Sequence, residues 1–266
     1  MADNIILIPD FQKLKEEVER LRIELSMLVL ERDELRLVEC KNIEMIYMLE
    51  LGSLEYKAFE SQCAFLRLKR KLELIQAKKN RQEKIVLTQI EDNLDLEFAE
   101  FQKKLEEQIN RMNAAIERSH YDTLSYEETK ELKTLYRRIV KVLHPDLNPC
   151  LSQAQLDLFH NAVNAYENGD LITLRIIDEM LSDPKIPEDQ KDSMTQLAEE
   201  KKRLTVLLNI VKESIEMIKS EFPYTVKEII NEPEKIAARK AELKNIIHQY
   251  EEAMYAYKAR IKEMLR

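Results

Sequence analysis

The chain has 266 residues, of which 35% are charged and 44% apolar, with only 2 glycines and 7 prolines. This composition disfavours turn-rich and strand-rich folds and is typical of long helices. With 42 basic and 50 acidic residues the net charge is -8, so bulk attraction to nucleic acid or to an anionic membrane is not expected.

Cellular location is predicted from the cysteines and from the apolar runs. Cys40, Cys63 and Cys150 are widely spaced and form no C-x-x-C pair, which favours a reduced, intracellular environment. The first nine residues lack the basic region and the apolar length of a signal peptide. No apolar run approaches the roughly 20 residues that a membrane-spanning helix needs. We therefore expect a cytoplasmic protein without a membrane partner.

The first predicted segment, residues 1–118, is an arm of long helices. After Pro9 and Asp10, apolar residues recur at coiled-coil spacing, and Arg32 occupies the one interrupted position of the seam. The seam residues are Leu14, Val18, Leu21, Leu25, Leu28 and Leu35. Two more helices are predicted, over about 42–79 and 84–118.

The stretch 53–118 is compatible with one continuous helix or with two helices that fold back near Asn80. Residues 67–84 carry a net charge of +6 and residues 91–107 a net charge of -5. A turn near Asn80 would place the two stretches antiparallel, with opposite charges beside each other. We therefore predict the turn and interpret the basic run as neutralised within the chain. Its alternative role, a nucleic-acid or acidic-partner patch, is the weaker hypothesis.

The second predicted segment, residues 119–186, is a small module of three helices. Ser125 and Glu128 form a capping-box pattern before an amphipathic helix. That helix must end near His144, because Pro145 disfavours the helical conformation at the residue before it. A second helix is expected after Ser152, and a third after Asn168-Gly169, ending before Pro184. The first helix of the module, which ends near His144, has a basic face of Lys130, Lys133, Arg137 and Lys141, with Arg138 on the flank.

The module resembles the J domain of DnaJ-like co-chaperones over about residues 120–181. The resemblance is carried by Tyr136-Arg137-Arg138, by the tripeptide His144-Pro145-Asp146 with Asn148-Pro149 behind it, and by Asn164-Ala165-Tyr166. Two features depart from the family pattern. Val142-Leu143 replaces the Lys-Tyr pair before the tripeptide, and 120–124 is the only counterpart of the family's first helix. No glycine/phenylalanine-rich linker and no zinc-binding repeats follow.

In J domains this surface docks the ATPase domain of a DnaK-type heat-shock chaperone and accelerates its ATP hydrolysis. The resemblance implies that His144, Pro145 and Asp146 make the coupling contacts. It also implies that basic side chains steer the partner by charge, namely Lys133, Arg137, Arg138 and Lys141. No enzyme activity, cofactor or metal is expected. His144, Cys150 and His160 lack zinc spacing, and the two glycines cannot build a phosphate loop.

The third predicted segment, residues 187–266, opens at Pro187-Glu188-Asp189 and has two apolar stripes separated by prolines. Those stripes predict an antiparallel helical hairpin. The expected fold class is therefore all-α, with long antiparallel coiled-coil helices flanking a small J-like helical hairpin module. Apolar seams of this length close either within one chain or between two copies, so a homodimer is an alternative to a monomer.

The leading functional hypothesis is a co-chaperone or adaptor whose arms recognise a client. The alternative is a structural coiled-coil scaffold with a vestigial J-like module.

Overall fold

The computed structural model describes residues 9–120, 124–181 and 194–266. These residues form helices and contain no β-strand, so the all-α class is confirmed. Within the same ranges no helix is long and apolar enough to cross a membrane. The expected helix start at 187–189 lies outside the described residues. The predicted end of the third module helix before Pro184 also lies outside them. So do residues 121–123, which belong to the stretch 120–124 that was compared with the first helix of J domains.

The helices follow one another along the chain with a few irregular segments between them. Their bounds are α1 (Pro9–Asp33), α2 (Cys40–Tyr47), α3 (Ser53–Asn80), α4 (Leu87–Glu97), α5 (Ala99–Ser119), α6 (Tyr126–Leu143), α7 (Gln153–Asn168), α8 (Leu171–Leu181), α9 (Met194–Ser220), α10 (Lys227–Asn231) and α11 (Pro233–Met264). Two π-helical segments, Glu34–Glu39 and Met48–Gly52, flank α2, and a 3₁₀ turn, Tyr224–Val226, precedes α10.

The chain divides into two compact units, each built from stretches that are distant in sequence. Unit 1 comprises residues 1–41 and 122–225, and unit 2 comprises residues 42–121 and 226–266. The predicted segments 1–118 and 187–266 therefore each contribute to both units.

In unit 1, α1 and α9 pair in a parallel direction. Ion pairs join Glu17 to Lys201 at 2.9 Å, Glu24 to Lys212 at 2.8 Å and Glu31 to Lys219 at 3.1 Å. Later positions of α1 thus meet later positions of α9. The buried apolar residues of the two helices belong to one core, and they include Val18, Leu25, Val29, Leu204, Leu208, Val211 and Ile215.

In unit 2, α11 pairs with α3, again in a parallel direction. The Phe65 ring lies 5.6 Å from Tyr250 and 5.3 Å from Tyr257, and Ile261 shares a core with Ile75. The antiparallel hairpin expected for 187–266 is therefore not confirmed, because α9 packs on α1 and α11 on α3. A heptad stripe defines an apolar face, but neither its partner nor its direction.

The expected turn near Asn80 is confirmed. Helix α3 ends at Asn80, the next residues make a turn, and α4 begins at Leu87. Arg67 lies 2.7 Å from Asp95, and Lys71, one turn later on α3, is ion-paired with Glu91, one turn earlier on α4, so the two helices run antiparallel. Hydrogen bonds from Lys71 and Arg67 lower the pKa of Glu91. Three of the eight basic side chains of this run, Arg67, Arg70 and Lys71, thus pair with carboxylates of α4.

The first two helices of the central module, α6 and α7, begin and end where the local signals place them. Ser125 and Glu128 form the capping box of α6, and Ser152 caps α7 in the same way. Gly169 ends α7 in a left-handed conformation with φ of 71°. Helices α6 and α7 run antiparallel, since the Tyr136 ring stacks on Tyr166 at 4.0 Å. The other ring contact, His144 on Phe159 at 5.0 Å, gives the same direction.

Candidate functional site

The tripeptide His144-Pro145-Asp146 forms a tight turn directly after α6. The backbone carbonyl of His144 accepts hydrogen bonds from the backbone N–H groups of Leu147 and Asn148, at 3.1 and 2.9 Å. The Asn148 amide also donates to the Lys141 carbonyl at 3.1 Å, satisfying a group at the end of α6. Pro145 is exposed, whereas the His144 side chain is buried, with 4% of the residue exposed.

The His144 ring lies between two hydrogen-bond donors. Nη2 of Arg32 is 3.0 Å from Nε2, and the backbone N–H of Asp146 is 3.0 Å from Nδ1. A guanidinium can only donate, and a neutral imidazole has one acceptor nitrogen, so one donor is hydrogen-bonded in each tautomer. Protonation would leave no acceptor nitrogen and would place a second positive charge beside Arg32.

Two arginines from distant helices hold Asp146. Nη1 of Arg32, on α1, donates to Oδ2 of Asp146 at 3.3 Å. Nη1 of Arg203, on α9, donates to the Asp146 backbone carbonyl at 3.1 Å. The Asp146 side chain is nevertheless 34% exposed. The loop is therefore fixed by the paired helices of unit 1 while its carboxylate remains in reach of a partner.

Asp33 connects this loop to the aromatic core of the module. Its Oδ1 accepts from Nε and Nη2 of Arg32 at 3.2 and 3.1 Å, and its Oδ2 accepts from the Tyr136 hydroxyl at 2.9 Å. Asp33 is 7% exposed, and it and His144 are the two buried polar or charged residues of the described chain. Burial, followed by the Asp33 charge, raises the pKa of Tyr136, which keeps the hydroxyl a donor.

Of the four basic residues predicted to bind a partner, two form ion pairs within the chain and two do not pair with any described residue. Lys133 lies 2.7 Å from Glu34, whose carboxylate also accepts from the Tyr166 hydroxyl, and Arg138 lies 2.8 Å from Asp178. Arg137 and Lys141 are exposed and form no ion pair with any residue in 9–120, 124–181 or 194–266. The internal pairs of Lys133 and Arg138 leave Arg137 and Lys141 as the cations open to a partner.

Sequence reasoning missed Arg32, Asp33 and Arg203 as parts of the site. Arg32 was the only charged residue in the predicted seam of the first helix, and that interruption was the available signal. Asp33 and Arg203 carried no signal, because charged residues in a helix are usually solvated. Among the described residues, no group of three or more His, Cys, Asp or Glu side chains could hold a metal ion.

Stability of unit 1 should fall as the pH drops below about 6.5. Burial is the largest cause that lowers the pKa of His144 below 6.5, with Arg32 acting in the same direction and Asp33 and Asp146 opposing it. Below the pKa of the unfolded chain, the unfolded state binds more protons than the folded state, so protons favour unfolding. One such group changes the free energy of unfolding by at most about 1.4 kcal/mol per pH unit.

The measurement is urea unfolding at pH 5.5 to 7.5, read by pulsed hydrogen exchange of peptides from α6 and α7. His144→Gln serves as the reference, because its amide does not titrate. Its unfolding free energy should change less over this range than that of the wild type. Equal pH dependence in the two proteins would contradict the prediction.

The chain matches no family model, and comparison with curated proteins and with solved structures gives no match either.

Proposed function

We propose that this chain is a DnaJ-like co-chaperone or adaptor that docks a cytoplasmic DnaK-type ATPase chaperone and stimulates its ATP hydrolysis. The observation that carries the proposal is the His144-Pro145-Asp146 turn at the end of a basic amphipathic helix. Exposed Pro145 and the partly exposed Asp146 carboxylate would face the partner. Client recognition falls to the helical units.

The basic side chains on the exposed face of α6 also support docking of the chaperone at this surface. Arg137 and Lys141 lie one turn apart on the exposed face of α6, and Lys141 is one turn before the tripeptide. Two cations without internal partners suit an acidic surface, which they would attract and orient before close contact. His144 is buried beneath this surface, so its role is to hold the loop in shape.

Single-turnover ATP hydrolysis by the DnaK-type chaperone of the same cell tests the proposal. Wild-type protein should accelerate hydrolysis, and His144→Gln should remove most of the acceleration. The double variant Arg137→Glu with Lys141→Glu should reduce it as well, and its exposed positions make unfolding no explanation. Lys130→Glu, a charge reversal near the start of the same helix, should keep most of the stimulation. No acceleration by the wild type would refute the proposed function.

A structural scaffold is the second candidate, and the contacts of Arg32 and Arg203 with the tripeptide favour it. In that case the motif is a packing joint between α1, α6 and α9, and its polar groups serve stability alone. His144→Gln would then change the unfolding of unit 1 but no chaperone ATPase rate. The two readouts together separate the candidates.

A further inference from the structure

Unit 1 contains a groove of about 1520 Å³ beside the candidate site. One wall, called the α1 wall, runs from Glu19 on α1 to Glu34 at the start of the following π-helical segment, and the other is α6 from Lys133 to Val142. The loop 147–151 and the first turns of α9 complete it. Fifteen residues of helix rise about 22 Å, so the α1 wall matches roughly four turns of another helix.

Exposed apolar side chains from both walls line the groove. Ile23 and Met27 lie one turn apart on α1, and Met27 is 66% exposed. Val142, also exposed, comes from α6 at the position where the J-domain pattern has a lysine. Apolar side chains collected in one concave surface are typical of binding sites for apolar groups of a partner.

The charges around the groove are unequal after internal pairing. On the α1 wall, Glu24, Glu31 and Glu34 are paired with lysines at 2.7 to 3.1 Å. On the α6 wall, Arg137 and Lys141 have no acidic partner among the described residues. Among the described residues, the unpaired charges of the groove are therefore positive on the α6 wall, at Arg137 and Lys141, whereas the α1 wall has the unpaired carboxylate of Glu19 at its far end.

We propose that this groove binds an acidic amphipathic helix from a partner protein. The apolar face of that helix packs on Ile23, Met27 and Val142, and its carboxylates lie against Arg137 and Lys141. Glu19, at the far end of the α1 wall, repels carboxylates and so orients the bound helix with its acidic face toward α6. An apolar stripe at helical spacing and a negatively charged flank are the features that the groove selects.

This site goes beyond the proposed function, because peptide binding needs no ATPase. Its test is fluorescence anisotropy with a labelled 16-residue peptide of leucines at helical spacing and glutamates elsewhere. The expected affinity is micromolar and falls with added salt. Arg137→Glu with Lys141→Glu should weaken binding roughly tenfold. Met27→Gln should weaken it about fivefold through lost apolar contact.

Two substitutions outside the groove are matched controls. Lys130→Glu reverses a charge on α6, and Met180→Gln removes an exposed apolar side chain from α8. Both should bind the peptide as the wild type does. A peptide with lysine in place of glutamate, a scrambled acidic peptide and a single-stranded oligonucleotide should bind much more weakly.

Equal binding of any of these three probes would overturn the proposal, as would equal losses in the groove variants and in their controls. Absence of peptide binding would also overturn it. None of these results bears on ATPase stimulation, so a failure here is distinct from a failure of the proposed function.

Discussion

Asp33→Ala is expected to destabilise unit 1 by about 3–5 kcal/mol, the usual cost of removing one partner of a buried ion pair. The change leaves the Tyr136 hydroxyl without its acceptor and deprives Arg32 of two hydrogen bonds. Among the described residues, Arg32 then keeps Asp146 and His144 as partners. The loss exceeds that of one neutral hydrogen bond because the orphaned groups remain away from water.

Hydrogen exchange in urea, followed in peptides of α6 and α7, measures this effect. Tyr136→Phe removes one side of a single hydrogen bond and should cost about 1 kcal/mol. Glu19→Ala, at an exposed position of the same helix, should change the free energy by less than about 0.5 kcal/mol. If Asp33→Ala were as mild as Glu19→Ala, Asp33 would not be a structural link between α1 and α6.

Sequence signals that involve only a few neighbouring residues correctly predicted where helices begin and end. Pro145 ends α6, the Ser125–Glu128 pair begins it, and Gly169 ends α7, since each acts within about one helical turn. The turn near Asn80 was predicted from charge, because opposite charges on nearby stretches of one chain have few other ways to meet. In each case the determining contacts lie close in sequence.

The pairing of helices could not be predicted in the same way. Residues 197–222 present an apolar stripe that fits any similar stripe, and the Glu17–Lys201 pair joins residues 184 positions apart. The buried polar site could not be predicted for the same reason, because its partners Asp33 and Tyr136 are separated by 103 positions in the sequence. An aspartate in a charged helix gives no sign of burial until its partners are known.

Leu25→Ala tests the pairing of α1 with α9 and should destabilise unit 1 by about 2–5 kcal/mol. Leu25 is fully buried, with 0% exposed, in the core that also contains Leu204 and Leu208 of α9. Truncation leaves a cavity between the two helices, so amide exchange should accelerate in α9, more than 150 residues along the chain. Met27→Ala, two positions away and exposed, should leave that exchange nearly unchanged.

The same experiment discriminates between the two arrangements of the C-terminal helices. In an antiparallel hairpin of α9 with α11, the α9 amides would be protected by contacts that Leu25 does not make. Leu25→Ala would then leave the exchange of α9 unaffected, and Leu243→Ala, in the core of unit 2, would accelerate it. If α9 packs on α1, Leu25→Ala should instead accelerate the amide exchange of α9, because the apolar face of α9 is covered by α1. Acceleration in α9 after Leu25→Ala therefore identifies α1 as the partner of that helix.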